Sequence, residues 1–216
     1  MTKLEPFIAS KTHIIWDWNG TLLDDIDICV EAVGEMLEAR GRKRLEREEH
    51  RKLFHMPVRS FYLSLGLDEK EHPFEVLASE FGSLYRKKAL RTSLYSGARE
   101  CLQRIHESGR AQAILSAANE RELVRLCKHF GITPFFDHIY GLPNHHAASK
   151  IQRGRDLLET WGAPKGQSLL IGDMDHDAEV AAALGIEFLL LGDGHQHPDR
   201  FPAEGVGRVL LSRYFG

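Results

Sequence analysis

The hydrophobic pattern changes rhythm along the chain. Ile14-Ile15-Trp16 is a short apolar run that stops at Asp17 and is followed by Gly20-Thr21, which predicts a buried strand running into a turn. From about Ile26 to Leu90 the spacing becomes helical, with Val30, Val33 and Leu37 on one stripe, then Val58, Phe61, Tyr62 and Leu65, then Phe74, Leu77, Phe81, Leu84 and Tyr85. The aromatic residues at these spacings read as packing between helices. After Ser96-Gly97 short apolar runs alternate with amphipathic stretches. Helices are predicted at 98–108, 120–130, 150–161 and 177–184, and strands at 111–115, 137–140, 168–171, 188–191 and 209–211.

Continuously apolar strands separated by amphipathic helices imply a parallel sheet covered on both faces. The expected fold is therefore α/β, a doubly wound parallel sheet, with a helical domain inserted after the first strand. The core comprises residues 1–24 and 93–216, and residues 25–92 form the helical insertion, placed as a cap over the carboxyl edge of the sheet.

Composition narrows the class of partner. Of 216 residues, 28 are Lys or Arg and 31 are Asp or Glu, so no bulk positive field points to nucleic acid or an acidic membrane, and a small-molecule partner is expected. No window approaches the roughly 20 apolar residues that span a bilayer. Cys29, Cys101 and Cys127 are far apart and odd in number, which fits buried thiols in a reducing compartment, the cytoplasm being the expected location. The charged run from Arg40 to Lys52 reads as solvated helix faces and loops. His145-His146 reads as a surface loop, since adjacent side chains diverge and no third metal ligand accompanies them.

In open α/β sheets ligands bind outside the carboxyl ends of the strands. The first strand ends in Asp17-Trp18-Asn19-Gly20-Thr21-Leu22, the strand at 111–115 ends in Ser116, Lys150 opens a later helix, and Ile171 leads into Gly172-Asp173-Met174-Asp175-His176-Asp177. Taken singly, an Asp before a turn is a cap, a Ser after a strand is a loop hydroxyl, and a run of Asp suits a helix N-terminus. Lys150 is different: a helix start is a poor place for a cation unless it faces an anion. Carboxylates gathered from two strand ends repel unless a cation shares the site, and a small set of hard oxygen ligands suits Mg²⁺. A carboxylate nucleophile, a hydroxyl, a lysine and a divalent ion together suit phosphoryl transfer.

In these segments the chain resembles the haloacid dehalogenase superfamily, in particular its phosphatases with a helical cap after the first strand, similar to phosphoglycolate phosphatases. Asp17 to Leu22 resembles the DxDGTL motif, Ser116 the hydroxyl of the second motif, Lys150 the lysine of the third, and Gly172 to Asp177 the acidic GDxxxD motif. The resemblance implies an Mg²⁺-dependent phosphohydrolase for a small phosphorylated metabolite, working as a monomer or homodimer. Asp17 would form an aspartyl phosphate. Mg²⁺ would be held by Asp17, the backbone carbonyl of Asn19, Asp173 and Asp177, while Ser116 and Lys150 hold the transferring group with amides near Gly20 and Ala117. Thr21 is expected to be structural, and Asp24 to mark the entry to the cap.

One departure stands out. The family's phosphatases carry a second aspartate two residues after the nucleophile, to protonate the leaving group and then activate water; here that position is Asn19. General acid or base help is worth about 10² to 10⁴ in rate. Three explanations stand: the substrate has a good leaving group, such as an acyl phosphate; another group substitutes, the candidates being His55 and His176; or Asn19 is a substitution made to trap a complex. On this reading, Asn19→Asp raises turnover of alkyl phosphate monoesters more than that of acetyl phosphate. The alternative is a catalytically weakened protein that binds a phosphorylated ligand or a protein partner. Trp18 is expected to pack behind the site, and Gly192-Asp193-Gly194-His195 to form a turn.

Overall fold

The structure, a computed structural model, describes residues 4–68, 70–143, 149–201 and 208–209. The helices are α1 (Glu5–Ile8), α2 (Ile26–Glu38), α3 (Arg47–Leu53), α4 (Val58–Ser64), α5 (Phe74–Lys88), α6 (Ala98–Glu107), α7 (Glu120–His129), α8 (Lys150–Trp161) and α9 (Asp175–Leu184). The strands are β1 (His13–Trp16), β2 (Leu23–Asp24), β3 (Ser93–Leu94), β4 (Ala111–Asn119), β5 (His138–Leu142), β6 (Ser168–Gly172), β7 (Glu187–Leu191) and β8 (Arg208–Val209).

The main sheet has the order β5-β4-β1-β6-β7-β8, and every pairing in it is parallel. The chain leaves β1, builds outward through β4 and β5 on one side, then returns to the other side of β1 for β6. The order therefore reverses at β1, which places a ligand crevice at that strand's carboxyl end. Register sharpens the point: Trp16 pairs with both Ile114 and Ile171, so Asp17, Ser116 and Asp173 emerge together at one edge.

Alternation along β1 decides which side chain enters which layer. Ile14 and Trp16 pack with Ile114, Leu169 and Ile171 against Cys101, Leu102, Leu123, Leu126 and Cys127, while Ile15 faces the opposite layer with Ala113, Leu115, Leu170, Leu157, Val180 and Leu184. Full burial of each such aliphatic side chain contributes roughly 1.5–3 kcal/mol. Gln112 is polar yet buried; it accepts from Trp16 Nε1 at 3.1 Å and donates to the Leu102 carbonyl at 2.9 Å, so its amide is satisfied. Trp18 is buried in the first layer, and the three cysteines are buried free thiols.

Helices α2 to α5 have their own core of Val33, Met36, Leu37, Phe61, Tyr62, Leu67 and Leu77, with Phe74 and Phe81 packed against it. Two crossings join this block to the sheet, and they pair as an antiparallel ribbon: Leu23 with Leu94 and Asp24 with Ser93. Strands this short carry no periodicity, and the sequence reading lacks them. Strand β4 runs past the expected end to Asn119, with a register shift against β5 between Leu115 and Asn119, so Ser116 lies inside the strand rather than after it. The last strand expected at 209–211 is described only at Arg208–Val209, and His145-His146 lies outside the described residues. Among the described residues, no helix is long and apolar enough to cross a membrane.

The charged run at 40–52 needs a correction. Arg40 makes a two-pronged contact with Glu80, His50 is buried, and the Arg51 guanidinium donates to the carbonyls of Gly194 at 2.9 Å and Gly192 at 2.8 Å. One face of α3 is thus an internal surface, turned toward the loop after β7.

Candidate active site

Asp17 follows β1, and its backbone N–H still donates to Ile171 O at 2.8 Å, which holds the residue at the sheet edge. The turn after it requires a left-handed residue at Gly20, whose φ is 73°. A Cβ there would also lie 2.4 Å from Asp173 Oδ2, so the chain needs glycine for both conformation and space. Lys150 begins α8 and is 4% exposed; its Nζ donates to Asp17 Oδ1 and, at 2.6 Å, to Asp177 Oδ1. This is the anion that a lysine at a helix N-terminus demanded.

Asp177 lies in the first turn of α9, where Oδ2 accepts the N–H groups of Asp173 at 3.1 Å and Met174 at 3.0 Å. Asp173 is fully buried; Oδ1 accepts from the Thr21 hydroxyl at 2.8 Å and Oδ2 from the His195 backbone N–H at 2.7 Å. Thr21 therefore steadies a carboxylate. Asp17, Asp173 and Asp177 each present an oxygen within 4.8 Å of the others.

Three buried carboxylates at such separations cost free energy unless a cation compensates them. Burial pushes the Asp17 carboxyl up to about 7, repulsion from Asp177 and Asp173 adding to the effect and Lys150 opposing it. Burial likewise pushes Asp173 up to about 6, with His195 opposing and Asp177 adding. Desolvation would depress Lys150, yet Asp17 and Asp177 hold it above the usual lysine range. An all-oxygen, anionic, undercompensated donor set fits a hard divalent cation such as Mg²⁺.

Ser116 is buried, and its Oγ accepts the Ala118 N–H at 3.0 Å, with Ala117 between them. The Gly20 N–H, expected near phosphate, is directed instead at Leu23 O at 2.9 Å and Asp25 Oδ1 at 3.2 Å. His55 bonds the Leu53 carbonyl at 2.7 Å and lies against Phe61, and His176 bonds Glu179 at 3.1 Å; these contacts keep both histidines within their own segments.

The site contains residues that the sequence reading passed over. Asp25 is fully buried and accepts from five donors: Asn19 Nδ2 at 2.6 Å, Tyr85 Oη at 2.9 Å, Cys29 Sγ at 3.5 Å, Gly20 N at 3.2 Å and His195 Nε2 at 3.1 Å. Burial would raise this carboxyl, but His195 first, then Asn19 and Tyr85, hold it below its ordinary value. His195 is raised in turn: burial opposes the charge and Asp25 favours it. Its Nδ1 meets His50 Nε2 at 3.3 Å, and His50 is pushed down to about 3 by burial and by His195, so the ring from α3 stays neutral. Asp25, Cys29 and His195 also lie within 4.8 Å of one another, but the donors already around Asp25 make that cluster a hydrogen-bond hub.

The turn predicted at 192–195 is present, and it carries a buried residue into the site: His195 is 4% exposed and reaches both Asp25 and Asp173. Tyr85 packs as its helical spacing predicts, its ring stacked on Phe81 and against the core layer, and in addition its hydroxyl enters the site. His195 follows β7 at the sheet edge already known to carry chemistry, so its strand-end position was a usable signal; Tyr85 on α5 had none.

The comparisons with known proteins agree with this fold. The family model for haloacid dehalogenase-like hydrolases matches residues 14–191, and the chain belongs to that family. A phosphoglycolate phosphatase of Pseudomonas fluorescens is 29% identical over 204 residues, covering 85% of this chain and 70% of that protein. One from Rhodobacter capsulatus is 26% identical over 192 residues, covering 85% of each. Among solved structures, a haloacid dehalogenase-like hydrolase from Streptococcus pneumoniae superposes with a TM-score of 0.81 at 21% identity, covering 94% of this chain and 96% of that one, a likeness of fold.

Proposed function

We propose that this chain is an Mg²⁺-dependent phosphohydrolase for a small phosphorylated metabolite, acting through an aspartyl phosphate on Asp17. The observation that carries the reading is the bridge from Lys150 to Asp17 and Asp177, with the Asp173 carboxylate beside them. Such a bridge opposes the burial that raises the Asp17 carboxyl and orients it, as an oxygen nucleophile requires. Asp17, Asp173, Asp177 and the Asn19 carbonyl would hold Mg²⁺, which when bound supplies charge neutralisation at the phosphoryl oxygens.

Asp17 Oδ attacks phosphorus and the bond to the leaving group breaks, its electron pair departing with the leaving oxygen. Water then attacks phosphorus, the bond to Asp17 breaks, and the water's proton passes to phosphate. Ser116 and Lys150 hold the phosphoryl oxygens through both steps. Residues 25–92 act as the cap over this edge, closing the site and selecting the substrate.

The names of the relatives favour 2-phosphoglycolate as the first compound to try. The test is Mg²⁺-dependent phosphate release from 2-phosphoglycolate and acetyl phosphate, with Asp17→Asn as the blank and intact mass of acid-quenched protein for the phosphoryl adduct. Turnover no greater than that blank on both compounds, with no adduct, would leave the chain as a binder of phosphorylated ligands.

A further inference from the structure

We infer that Asp25 is a positioning residue that makes position 19 a pure hydrogen-bond acceptor, so that the site turns over substrates whose leaving group departs as an anion. The inference rests on the phosphohydrolase reading and names its substrate class: acyl phosphates and activated aryl phosphates rather than alkyl phosphates.

A carboxamide has two N–H donors and one carbonyl acceptor. Both donors of Asn19 are engaged within the chain, one by Asp25 Oδ2 at 2.6 Å and one by Tyr85 Oη at 3.0 Å. The orientation is not open to a flip. Asp25 offers only acceptors, and Tyr85 Oη donates its own proton to the same Asp25 oxygen at 2.9 Å, so only the amide nitrogen can face them. Asn19 Oδ1 is what remains, and it donates nothing.

The two steps are affected differently. When Asp17 attacks phosphorus, an alkyl leaving group must depart as a strongly basic alkoxide unless it receives a proton, and position 19 has none to give; a carboxylate or stabilised phenolate departs without one. When water attacks the phosphoaspartate, an acceptor is useful: Asn19 Oδ1 can take a hydrogen bond from the water and aim its lone pair at phosphorus, as a water-orienting amide does in other phosphoryl transfers. The second step therefore survives the asparagine and the first becomes selective.

Asp25 also changes what Asn19→Asp would do. That replacement alone puts carboxylate against carboxylate at the 2.6 Å separation now spanned by N–H···O, and such a pair shares a proton between its members rather than offering it to a leaving group. The gain expected from the sequence then requires a second change, Asp25→Asn, which reverses the direction of the hydrogen bond and frees position 19 to titrate.

The experiment compares wild type, Asn19→Asp, Asp25→Asn and the double variant, with kcat/KM for acetyl phosphate, a series of substituted phenyl phosphates, 2-phosphoglycolate and glycerol phosphate, plus melting temperatures. Wild type is expected to favour acetyl phosphate over the alkyl esters by about 10² or more, with a steep dependence on leaving-group basicity. Asn19→Asp alone should leave the alkyl-to-acyl ratio within about threefold, and the double variant should raise it about tenfold or more with a shallower dependence. A tenfold rise in Asn19→Asp alone, or wild-type turnover of 2-phosphoglycolate within tenfold of acetyl phosphate, overturns the inference. If no form shows Mg²⁺-dependent turnover, the phosphohydrolase reading and the selectivity fall together. The Asn19–Asp25 pairing is then decided by the melting temperatures, non-additive shifts supporting it and additive ones refuting it.

Discussion

Lys150 Nζ lies 2.6 Å from Asp177 Oδ1, and the same ammonium group is bonded to Asp17, so one buried cation serves a carboxylate at the end of β1 and another in the first turn of α9. Removing it with Lys150→Met leaves Asp17 and Asp177 without their nearest counter-charge. We expect the metal-free protein to lose roughly 3–5 kcal/mol, as breaking a buried ion pair does. Phosphate release should fall by about 10² or more, as when one charge-stabilising donor is lost. Urea denaturation without Mg²⁺, with steady-state rates alongside, checks both.

The site's carboxyls dictate how stability responds to pH. Asp17 and Asp173 titrate near 7 and 6 in the folded chain, against an ordinary value of about 4, so between those limits the folded state binds more protons than the unfolded state. Their contribution to stability falls as pH rises through that window. His195, raised above its ordinary value, acts in the same direction at higher pH, whereas the depressed Asp25 contributes stability that is lost only on acidification below the usual carboxylate range. His50, pushed down to about 3, acts the opposite way up to its ordinary value near 6.5, so thermal scans should show the metal-free melting temperature falling from pH 6.5 to pH 8, and Mg²⁺ raising it more at pH 8 than at pH 6.5. Asp17→Asn should flatten the slope and stabilise the metal-free protein at pH 8 by about 1–3 kcal/mol. A slope unchanged in that variant would show the raised carboxyl to be elsewhere.

Gly194 has no unusual backbone angle to protect, yet a Cβ there would sit 2.2 Å from Asp173 Oδ2 and 2.3 Å from its Cβ. Gly194→Ala must therefore displace the carboxylate. Calorimetric titration should find Mg²⁺ affinity lower by about tenfold or more, the scale seen when the support of a metal ligand is disturbed. Wild-type affinity in this variant would remove Asp173 from the proposed metal set.

Arg51 joins α3 to the loop after β7: its guanidinium donates to Gly192 O and Gly194 O, and its own carbonyl accepts from His197 N at 2.9 Å. Arg51→Ala is expected to cost about 1–3 kcal/mol. Arg51→Lys should recover only part, because one ammonium does not reproduce a fork that reaches two carbonyls. Limited proteolysis supplies the local readout, with faster cleavage at 192–197 in the alanine variant than in the lysine variant.

Much of the site's nucleophilic half was legible before the fold was known. Asp17, Ser116 and Asp173 sit at the ends of apolar runs, which a parallel sheet brings to one edge; Lys150 opens a helix where a cation needs an anion, and Asp177 belongs to the acidic run after Ile171. Asn19 could be read as an anomaly but not explained. Its explanation lies in Asp25, which the pattern of the chain did not single out, and in Tyr85, which looked like one more aromatic on a helical stripe. Local periodicity assigns a residue to a face; it does not say which buried polar group that face will meet.

The order of strands and helices, the layered core and the acidic edge were determined by the sequence, because period-2 and period-3.6 burial are properties of short stretches and the strand-end rule turns them into a location. Only the tertiary structure decided that Tyr85 and His195 converge on Asp25, with His50 bonded to the far side of His195, and that Asn19 therefore faces inward with both protons engaged. The reason is physical: hydrogen-bond donors and acceptors find partners by proximity in space, and proximity between α3, α5 and the loop after β7 exists only once the helical block has packed against the sheet.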